Sequence, residues 1–138
     1  MSEKKINHVG MVVPSIADFL ENNAVLYGGF SRGPLIVNEV QGVNEMFISD
    51  GVVVLELLEP SSDASPLAGF LKRNRQGGLV HVALDVDHME AALKQVEDAG
   101  GKVVVPPTAD VAFPGRRIAF IVLNGHVTEF IERPTGSR

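Results

Sequence analysis

Two apolar, strand-like stretches of the chain carry the same pattern of residues at a fixed spacing. The first contains His8 and the second contains His81, so the two histidines lie 73 residues apart. Each is followed 48 residues later by a glutamate in another apolar stretch, Glu56 in one case and Glu129 in the other. We interpret the chain as two copies of one structural unit, each contributing one His and one Glu.

Other features of the sequence repeat in the same register. A pair of glycines that ends a helix recurs to within a residue, and apolar residues match at the same spacing, among them Leu20 with Leu93, Phe47 with Phe120 and Val54 with Val127. A few apolar matches arise by chance, but helix ends, turns, histidines and glutamates rarely align together. The sequence therefore predicts an internal duplication.

Turn and capping signals divide each copy into a strand, a helix and three strands, the βαβββ order. The first module, residues 5–60, is expected to have a strand at 6–13, a helix from Ser15 to Tyr27, an interrupted edge strand near 35–37, and strands at 43–49 and 52–59. A connection over 61–78 contains a short helix that opens at Pro66. The second module, residues 79–133, is expected to have strands at 79–86, 102–105, 116–123 and 126–132, and a helix over 88–99 capped by Asp87.

The last two strands of each module are expected to be joined by two-residue turns, at Asp50-Gly51 and at Asn124-Gly125. The predicted fold class is therefore α+β, with two βαβββ modules in one chain. The length of 138 residues is that of a single domain large enough to bury a core.

Composition restricts the classes of function. The formal net charge of −5 gives no support for binding nucleic acid or an anionic membrane, and no apolar run is long enough to span a bilayer. The absence of Cys excludes thiolate chemistry. The polar N-terminal residues are not followed by the apolar core of a signal peptide, so we expect a cytoplasmic protein that acts on a small molecule.

The four repeated residues have the chemistry of a metal site. A carboxylate in an apolar strand is costly to bury unless it is paired or bound to metal. Two imidazoles and two carboxylates suit a divalent metal such as Co, Ni, Zn or Mn. We therefore predict that His8, Glu56, His81 and Glu129 bind one divalent ion.

The chain resembles the vicinal oxygen chelate superfamily, and within it the methylmalonyl-CoA epimerases. The most specific residues are the string Glu-Leu-Leu-Glu-Pro at 56–60 and the string Ser-Pro-Leu-Ala-Gly-Phe-Leu at 65–71. The resemblance implies a cup-shaped mixed sheet around a divalent metal. It implies the same four ligands, His8, Glu56, His81 and Glu129, and an acyl-CoA or related carbonyl substrate.

The reaction implied by the resemblance is the removal and return of a proton next to a thioester carbonyl, through a metal-stabilised enolate. The epimerase pattern has an acidic residue just before a Gly-Val pair, and the aligned position here is Val40. Glu39 and Glu45 are the candidate replacements, and Glu45 and Glu129 are taken as the candidate acid–base residues.

Three alternatives stay open on the sequence alone. One is a lactoylglutathione-lyase-like isomerase with the same His-Glu-His-Glu set. Another is a drug-binding protein of the bleomycin-resistance kind, which usually lacks that set. The third, less favoured, is an extradiol dioxygenase, whose iron site uses two His and one carboxylate. Members of the superfamily are often homodimers, so a homodimer is expected here as well.

Overall fold

The structure of the protein is a computed structural model, and it describes residues 3–134. The chain divides into two compact units. One comprises residues 8–80, and the other combines the N-terminal residues up to Asn7 with the chain from His81 onward. Within residues 3–134, no helix has both the length and the apolar character that a membrane span requires.

The first module has the predicted order of strand, helix and further strands. Its elements are β1 (Lys5–Val12), α1 (Ile16–Asn22), α2 (Ala24–Tyr27), β2 (Ser31–Arg32), β3 (Ile36–Asn38), β4 (Val43–Ser49) and β5 (Val54–Pro60). The strands lie in the order β2-β4-β5-β1, and β3 also pairs with β4. Strand β1 runs parallel to β5, whereas β4 runs antiparallel to it.

The second module follows a short helix, α3 (Ala68–Arg73), and repeats this arrangement. Its elements are β6 (Gly78–Val86), α4 (Met89–Asp98), β7 (Lys102–Ala109), β8 (Arg117–Leu123) and β9 (His126–Glu132). The strands lie in the order β6-β9-β8-β7, with β6 parallel to β9 and the other pairs antiparallel. The predicted α+β class and the duplicated βαβββ order are confirmed.

The pairing of the strands preserves the 73-residue spacing of the sequence. In the first module Gly10 is opposite Glu56, and in the second Ala83 is opposite Glu129. Each module buries one face of its strands under its main helix. Ile16 and Leu20 of α1 pack on Ile48 and Leu57, whereas the core beneath α4 contains Met89, Leu93, Val96, Ala119, Ile121 and Phe130. The opposite face of each set of strands carries the predicted site residues.

The prediction of one continuous helix from Ser15 to Tyr27 is wrong, because the helix is interrupted at Asn23. The side chain of Asn23 donates a hydrogen bond to the carbonyl of Phe19 at 2.9 Å, and the backbone leaves helical geometry at φ −114° and ψ 24°. Asn competes in this way with the regular hydrogen bonds of a helix. The chain then makes the separate short turn of α2.

The predicted turn at Asp50-Gly51 is also wrong, because the loop contains four residues. The last pair of the ladder is Ser49 with Val54, and the carboxylate of Asp50 accepts hydrogen bonds from the backbone N–H groups of Val53 and Val52 at 2.7 and 2.9 Å. These two bonds lower the pKa of Asp50. An aspartate that caps its own loop favours this wider turn.

The turn at Asn124-Gly125 has the predicted length, since Leu123 pairs directly with His126. Both turn residues have positive φ, 51° for Asn124 and 80° for Gly125, as the type I′ turn requires.

Strand β7 continues past the prolines at which it was predicted to stop. It runs to Ala109, with one register shift between Val103 and Val105 and another between Val105 and Thr108. The second shift spans the two prolines, which cannot donate to the ladder. Among the described strands of its module β7 is at the edge, where proline is tolerated.

Helix α3 begins at Ala68, two residues later than predicted. The hydroxyl of Ser65 accepts a hydrogen bond from the N–H of Leu67, which forms a turn before the helix.

The predicted cap of α4 is wrong as well. The N-cap residue is His88, which makes no capping bond, while the carboxylate of Asp87 accepts a hydrogen bond from Arg133 at 2.8 Å.

The guanidinium of Arg117 links α4 to β8 and β9. It donates to Glu132 at 2.6 Å and to Glu90 at 2.8 Å, and its hydrogen bonds lower the pKa of both carboxyls. Because the folded-state pKa of Glu132 is lowered, its contribution to stability is present at neutral pH and is lost as the pH falls through that lowered pKa.

Replacing Glu132 with Gln is therefore expected to lower the free energy of unfolding at pH 7 by about 1 kcal/mol, the upper part of the range for partly exposed ion pairs. At a pH below the lowered pKa the two proteins should be equally stable. Urea unfolding at both pH values measures this difference. Glu97→Gln, an exposed change on α4, is the control, and a penalty that persists unchanged in acid would contradict the assignment.

Candidate metal centre

The first predicted pair of site residues is buried within one unit. His8 lies in β1 and is fully buried, and Glu56 lies in β5 with 4% of its surface exposed. The Nε2 atom of His8 is 3.2 Å from Oε1 of Glu56. The residue opposite Glu56 on β1 is Gly10, two positions after His8 on the same face.

An aromatic ring closes the other side of this pair. Phe47 of β4 is directly opposite Glu56, so the two side chains project from the same face. The ring of Phe47 meets the imidazole of His8 at 5.3 Å between centroids and at 81°, an edge-on contact. The His–Glu pair therefore has an apolar wall that limits the approach of water.

The second predicted pair has the same construction. His81 of β6 and Glu129 of β9 are 9% and 3% exposed, and Nε2 of His81 is 3.3 Å from Oε1 of Glu129. Ala83 is opposite Glu129 where the first module has Gly10, and Phe120 is opposite it on β8. The ring of Phe120 meets His81 at 5.6 Å and 86°. The predicted pairing of His and Glu is thus found twice, with the same neighbours.

The donor chemistry of these residues fits a divalent metal of borderline softness. Each of the four residues is buried and offers one ligand atom, an imidazole nitrogen or a carboxylate oxygen. Buried carboxylates are costly unless a charge compensates them, and imidazole with carboxylate is a common ligand set for zinc and its neighbours. The residues present therefore fit the metal that the sequence predicts.

Glu45 lies on the same face of the first module as Glu56. It is in β4, two residues before Phe47, and only 2% of its surface is exposed. Its partner on β5 is Leu58, two residues after Glu56. At the equivalent position the second module has Ile118, which packs in an apolar cluster. The first module therefore places an additional buried carboxylate where its copy has an aliphatic side chain.

The other candidate acidic residue, Glu39, has a different environment. It is exposed in the segment between β3 and β4, and the neighbouring Val40 is 89% exposed. Asn38 fixes this segment, because its side-chain oxygen accepts a hydrogen bond from the N–H of Gln41. Of the two candidates from the sequence, only Glu45 is on the face that carries Glu56 and is shielded from solvent.

The other two histidines fall outside these pairs. His88 and His126 are both exposed. Four neighbours of the two His–Glu pairs were not predicted from the sequence. They are Phe47, Phe120, Gly10 and Ala83. The match of Phe47 with Phe120 at the repeat spacing was the signal that could have identified the aromatic wall.

Comparison with known proteins gives several related sequences that are named as acyl-CoA epimerases. Methylmalonyl-CoA epimerase of Dictyostelium discoideum is 31% identical over 133 residues, which cover 94% of this chain and 78% of that protein. Ethylmalonyl-CoA/methylmalonyl-CoA epimerase of Cereibacter sphaeroides is 31% identical over 120 residues, covering 85% of this chain and 87% of that protein. These relatives are enzymes, which confirms the prediction that the chain is an enzyme.

A solved structure extends the likeness to the fold. A variant of Streptomyces coelicolor methylmalonyl-CoA epimerase in complex with 2-nitronate-propionyl-CoA matches with a TM-score of 0.80 and 28% identity, over 99% of each chain. The family model described as Glyoxalase/Bleomycin resistance protein/Dioxygenase superfamily matches residues 7–120. The chain therefore belongs to the glyoxalase, bleomycin resistance protein and dioxygenase superfamily, as its duplicated βαβββ modules and paired His and Glu residues indicated.

Proposed function

We propose that the protein is a metal-dependent epimerase that inverts the carbon next to the thioester carbonyl of an acyl-CoA, with methylmalonyl-CoA as the first substrate to test. The observation that carries this proposal is the buried His–Glu pair, present in both modules with the same register and the same aromatic neighbour. The names of the relatives support the choice of substrate.

In this proposal His8, Glu56, His81 and Glu129 bind one divalent ion, whose identity among Co, Ni, Zn and Mn is open. In support, each unit buries one His–Glu pair, with the imidazole Nε2 and the carboxylate Oε1 3.2 Å apart in one and 3.3 Å apart in the other. When bound, the ion supplies a positive charge that stabilises negative charge on the substrate's carbonyl oxygen. A binding protein of the bleomycin-resistance kind would have no need for this ligand set.

The chain's own residues move the proton. An α-proton next to a thioester is weakly acidic, so its removal needs a positioned base. We assign one acid–base role to Glu45, because it lies on the face of Glu56 and is shielded from water. The C–H bond breaks, the proton passes to the carboxylate, and the electron pair moves towards the carbonyl. A second group, for which Glu129 is the candidate, returns a proton to the opposite side of the carbon.

The direct test is solvent exchange in the metal-loaded protein. With methylmalonyl-CoA in deuterium oxide, we expect deuterium to enter the α-carbon and both epimers to form, as followed by NMR and mass spectrometry. Protein stripped of metal by a chelator is the control and should show neither change. Metal-loaded protein that leaves methylmalonyl-CoA unchanged would contradict the proposal.

The same preparation distinguishes the alternative functions. Conversion of the hemithioacetal of methylglyoxal and glutathione would favour a lactoylglutathione-lyase-like isomerase. Ring cleavage of a catechol would favour an extradiol dioxygenase. A rise in melting temperature with a drug-like ligand, without turnover, would favour a binding protein.

We also infer that the protein forms a homodimer in the cytoplasm. The first module exposes apolar side chains that a partner would cover, among them Val25 at 95%, Leu26 at 65% and Val37 at 58% exposure. Val25 and Leu26 are neighbours in α2, and a contiguous patch of exposed apolar residues is typical of an interaction surface. Light scattering of the purified protein measures the oligomeric state.

A further inference from the structure

A surface cleft of about 620 Å³ opens next to the end of β5, in the same unit as His8 and Glu56. Pro60, Ser61, Ser62 and Asp63 line one part of it, and Lys72 and Arg75 line another. The volume falls within the range of small-molecule sites. The cleft lies outside the set of residues assigned to the metal and to the proton transfer.

The two cations of this cleft are not neutralised by the protein. Among the described residues, neither Lys72 nor Arg75 has an acidic partner within ion-pair distance. By contrast, Arg116, Arg117 and Arg133 are each paired with a carboxylate. With Asp63 counted, the lining residues keep a net positive charge of one.

The position of helix α3 accounts for only part of this charge. Lys72 and Arg73 are in its last turn, where a cation interacts favourably with the helix dipole. Arg75 follows the end of the helix and gains little from that dipole, yet it lines the cleft together with Lys72. Arg73, which is in the same turn, does not line it. The helix dipole therefore accounts for Lys72 and not for Arg75.

Along β5, the cleft is separated from Glu56 by four residues. Pro60, which lines the cleft, is four residues after Glu56 in β5, a distance of about 13 Å at the rise of an extended strand. CoA carries its phosphates at the far end of a long pantetheine arm. A substrate whose phosphates lie far from its acyl group can therefore have an anion site outside the set of residues assigned to the metal.

We propose that this cleft binds a phosphate group of the CoA portion of the substrate, through Lys72, Arg75 and the hydroxyl of Ser61. The proposal rests on the proposed function, because it names where the distal end of that substrate is held. Lysine and arginine both form charge-assisted hydrogen bonds with phosphate oxygens. The carboxylate of Asp63 opposes an anion in this cleft and limits its affinity.

Replacing both Lys72 and Arg75 with Ala is expected to raise the KM for methylmalonyl-CoA about ten-fold, the effect of losing roughly 1.4 kcal/mol of binding, and to leave kcat unchanged. The KM for methylmalonyl-pantetheine, which lacks the nucleotide, should not change. Arg73→Ala is the matched control, since it removes a cation from the same turn outside the cleft. Equal KM effects on the two thioesters, or an equal effect of Arg73→Ala, would overturn the proposal.

A binding measurement separates this site from the epimerase activity. The adenosine bisphosphate that forms the nucleotide end of CoA is titrated into the intact protein and followed by calorimetry and by NMR shifts. We expect binding that the double Ala variant abolishes and that Asp63→Asn strengthens. Absence of binding would overturn the proposal, and so would inorganic phosphate that competes as well as the nucleotide. If the protein binds the nucleotide but has no epimerase activity, the phosphate site is supported and the proposed reaction is rejected.

Discussion

Replacing Glu56 with Ala is expected to remove the divalent metal from the protein. The carboxylate of Glu56 is buried 3.2 Å from the imidazole of His8, and its loss leaves three of the four proposed ligands. Loss of groups that merely orient metal ligands already lowers affinity by 10- to 100-fold, so loss of a ligand should lower it by at least about 100-fold. Elemental analysis after dialysis should find one ion per wild-type chain and almost none in the variant.

Thermal unfolding tests the loss of metal in Glu56→Ala by a second method. A ligand present at about 100 times its dissociation constant stabilises the folded state by roughly 2.7 kcal/mol. Added metal should therefore raise the melting temperature of the wild type and leave that of Glu56→Ala nearly unchanged. Circular dichroism verifies that the variant is folded, so that loss of metal is not confused with loss of structure.

Glu59→Ala is the matched control in the same strand. Glu59 lies three residues after Glu56 and faces the other way, where its carboxylate accepts hydrogen bonds from the N–H of Ile16 and the side chain of Asn44. This variant should lose stability and keep its metal. In the second module, Glu129→Ala should lose the metal as Glu56→Ala does.

Two results would contradict the shared metal site. Retention of the ion by both Glu→Ala variants would show that the buried carboxylates are not ligands. Two ions per wild-type chain, one lost in each variant, would show that each His–Glu pair binds separately. A single ion lost in either variant is the expected outcome.

The repeat in the sequence predicted the pairing of site residues because strand register is periodic. Once His8 and His81 are placed on equivalent strands, the 48-residue spacing fixes which strand carries each glutamate. A shift of one residue would turn every side chain of a strand to the other face, so a conserved spacing constrains both modules together. The observed partners, Gly10 with Glu56 and Ala83 with Glu129, keep that spacing.

The errors of the sequence interpretation have local causes. Asn23 and Asp50 bond to the backbone near them, and those bonds decide where a helix breaks and how wide a loop becomes. Pattern and propensity do not show whether such a side chain faces the solvent or its own backbone. The extension of β7 past its prolines depends on its place at the edge of its sheet, which only the pairing of strands reveals.

The choice between Glu39 and Glu45 required the structure for a similar reason. The two residues are six positions apart, and the sequence does not tell where the strand between them begins. Strand β4 begins at Val43, which excludes Glu39 from the strand and places Glu45 within it, opposite Leu58. The burial of Glu45 then follows from the face it occupies.

Replacing Glu45 with Gln is expected to lower the rate of epimerisation by about 10²- to 10⁴-fold, the usual contribution of a general acid–base group. Gln keeps the size of the side chain and removes its capacity to accept a proton, so the fold and the metal content should not change. Turnover of methylmalonyl-CoA with the metal-loaded variant measures the effect. Glu39→Gln, which alters the exposed alternative, should have wild-type activity.

Exchange with deuterium shows whether Glu45 acts as one of two bases. If a second group serves the opposite side of the carbon, Glu45→Gln should still exchange the α-proton of one epimer with solvent while failing to invert it. The other epimer should neither exchange nor invert. If Glu39→Gln loses activity while Glu45→Gln keeps full activity, the acid–base role belongs to Glu39. If Glu45→Gln exchanges the α-proton of both epimers equally, Glu45 does not contact the reacting proton.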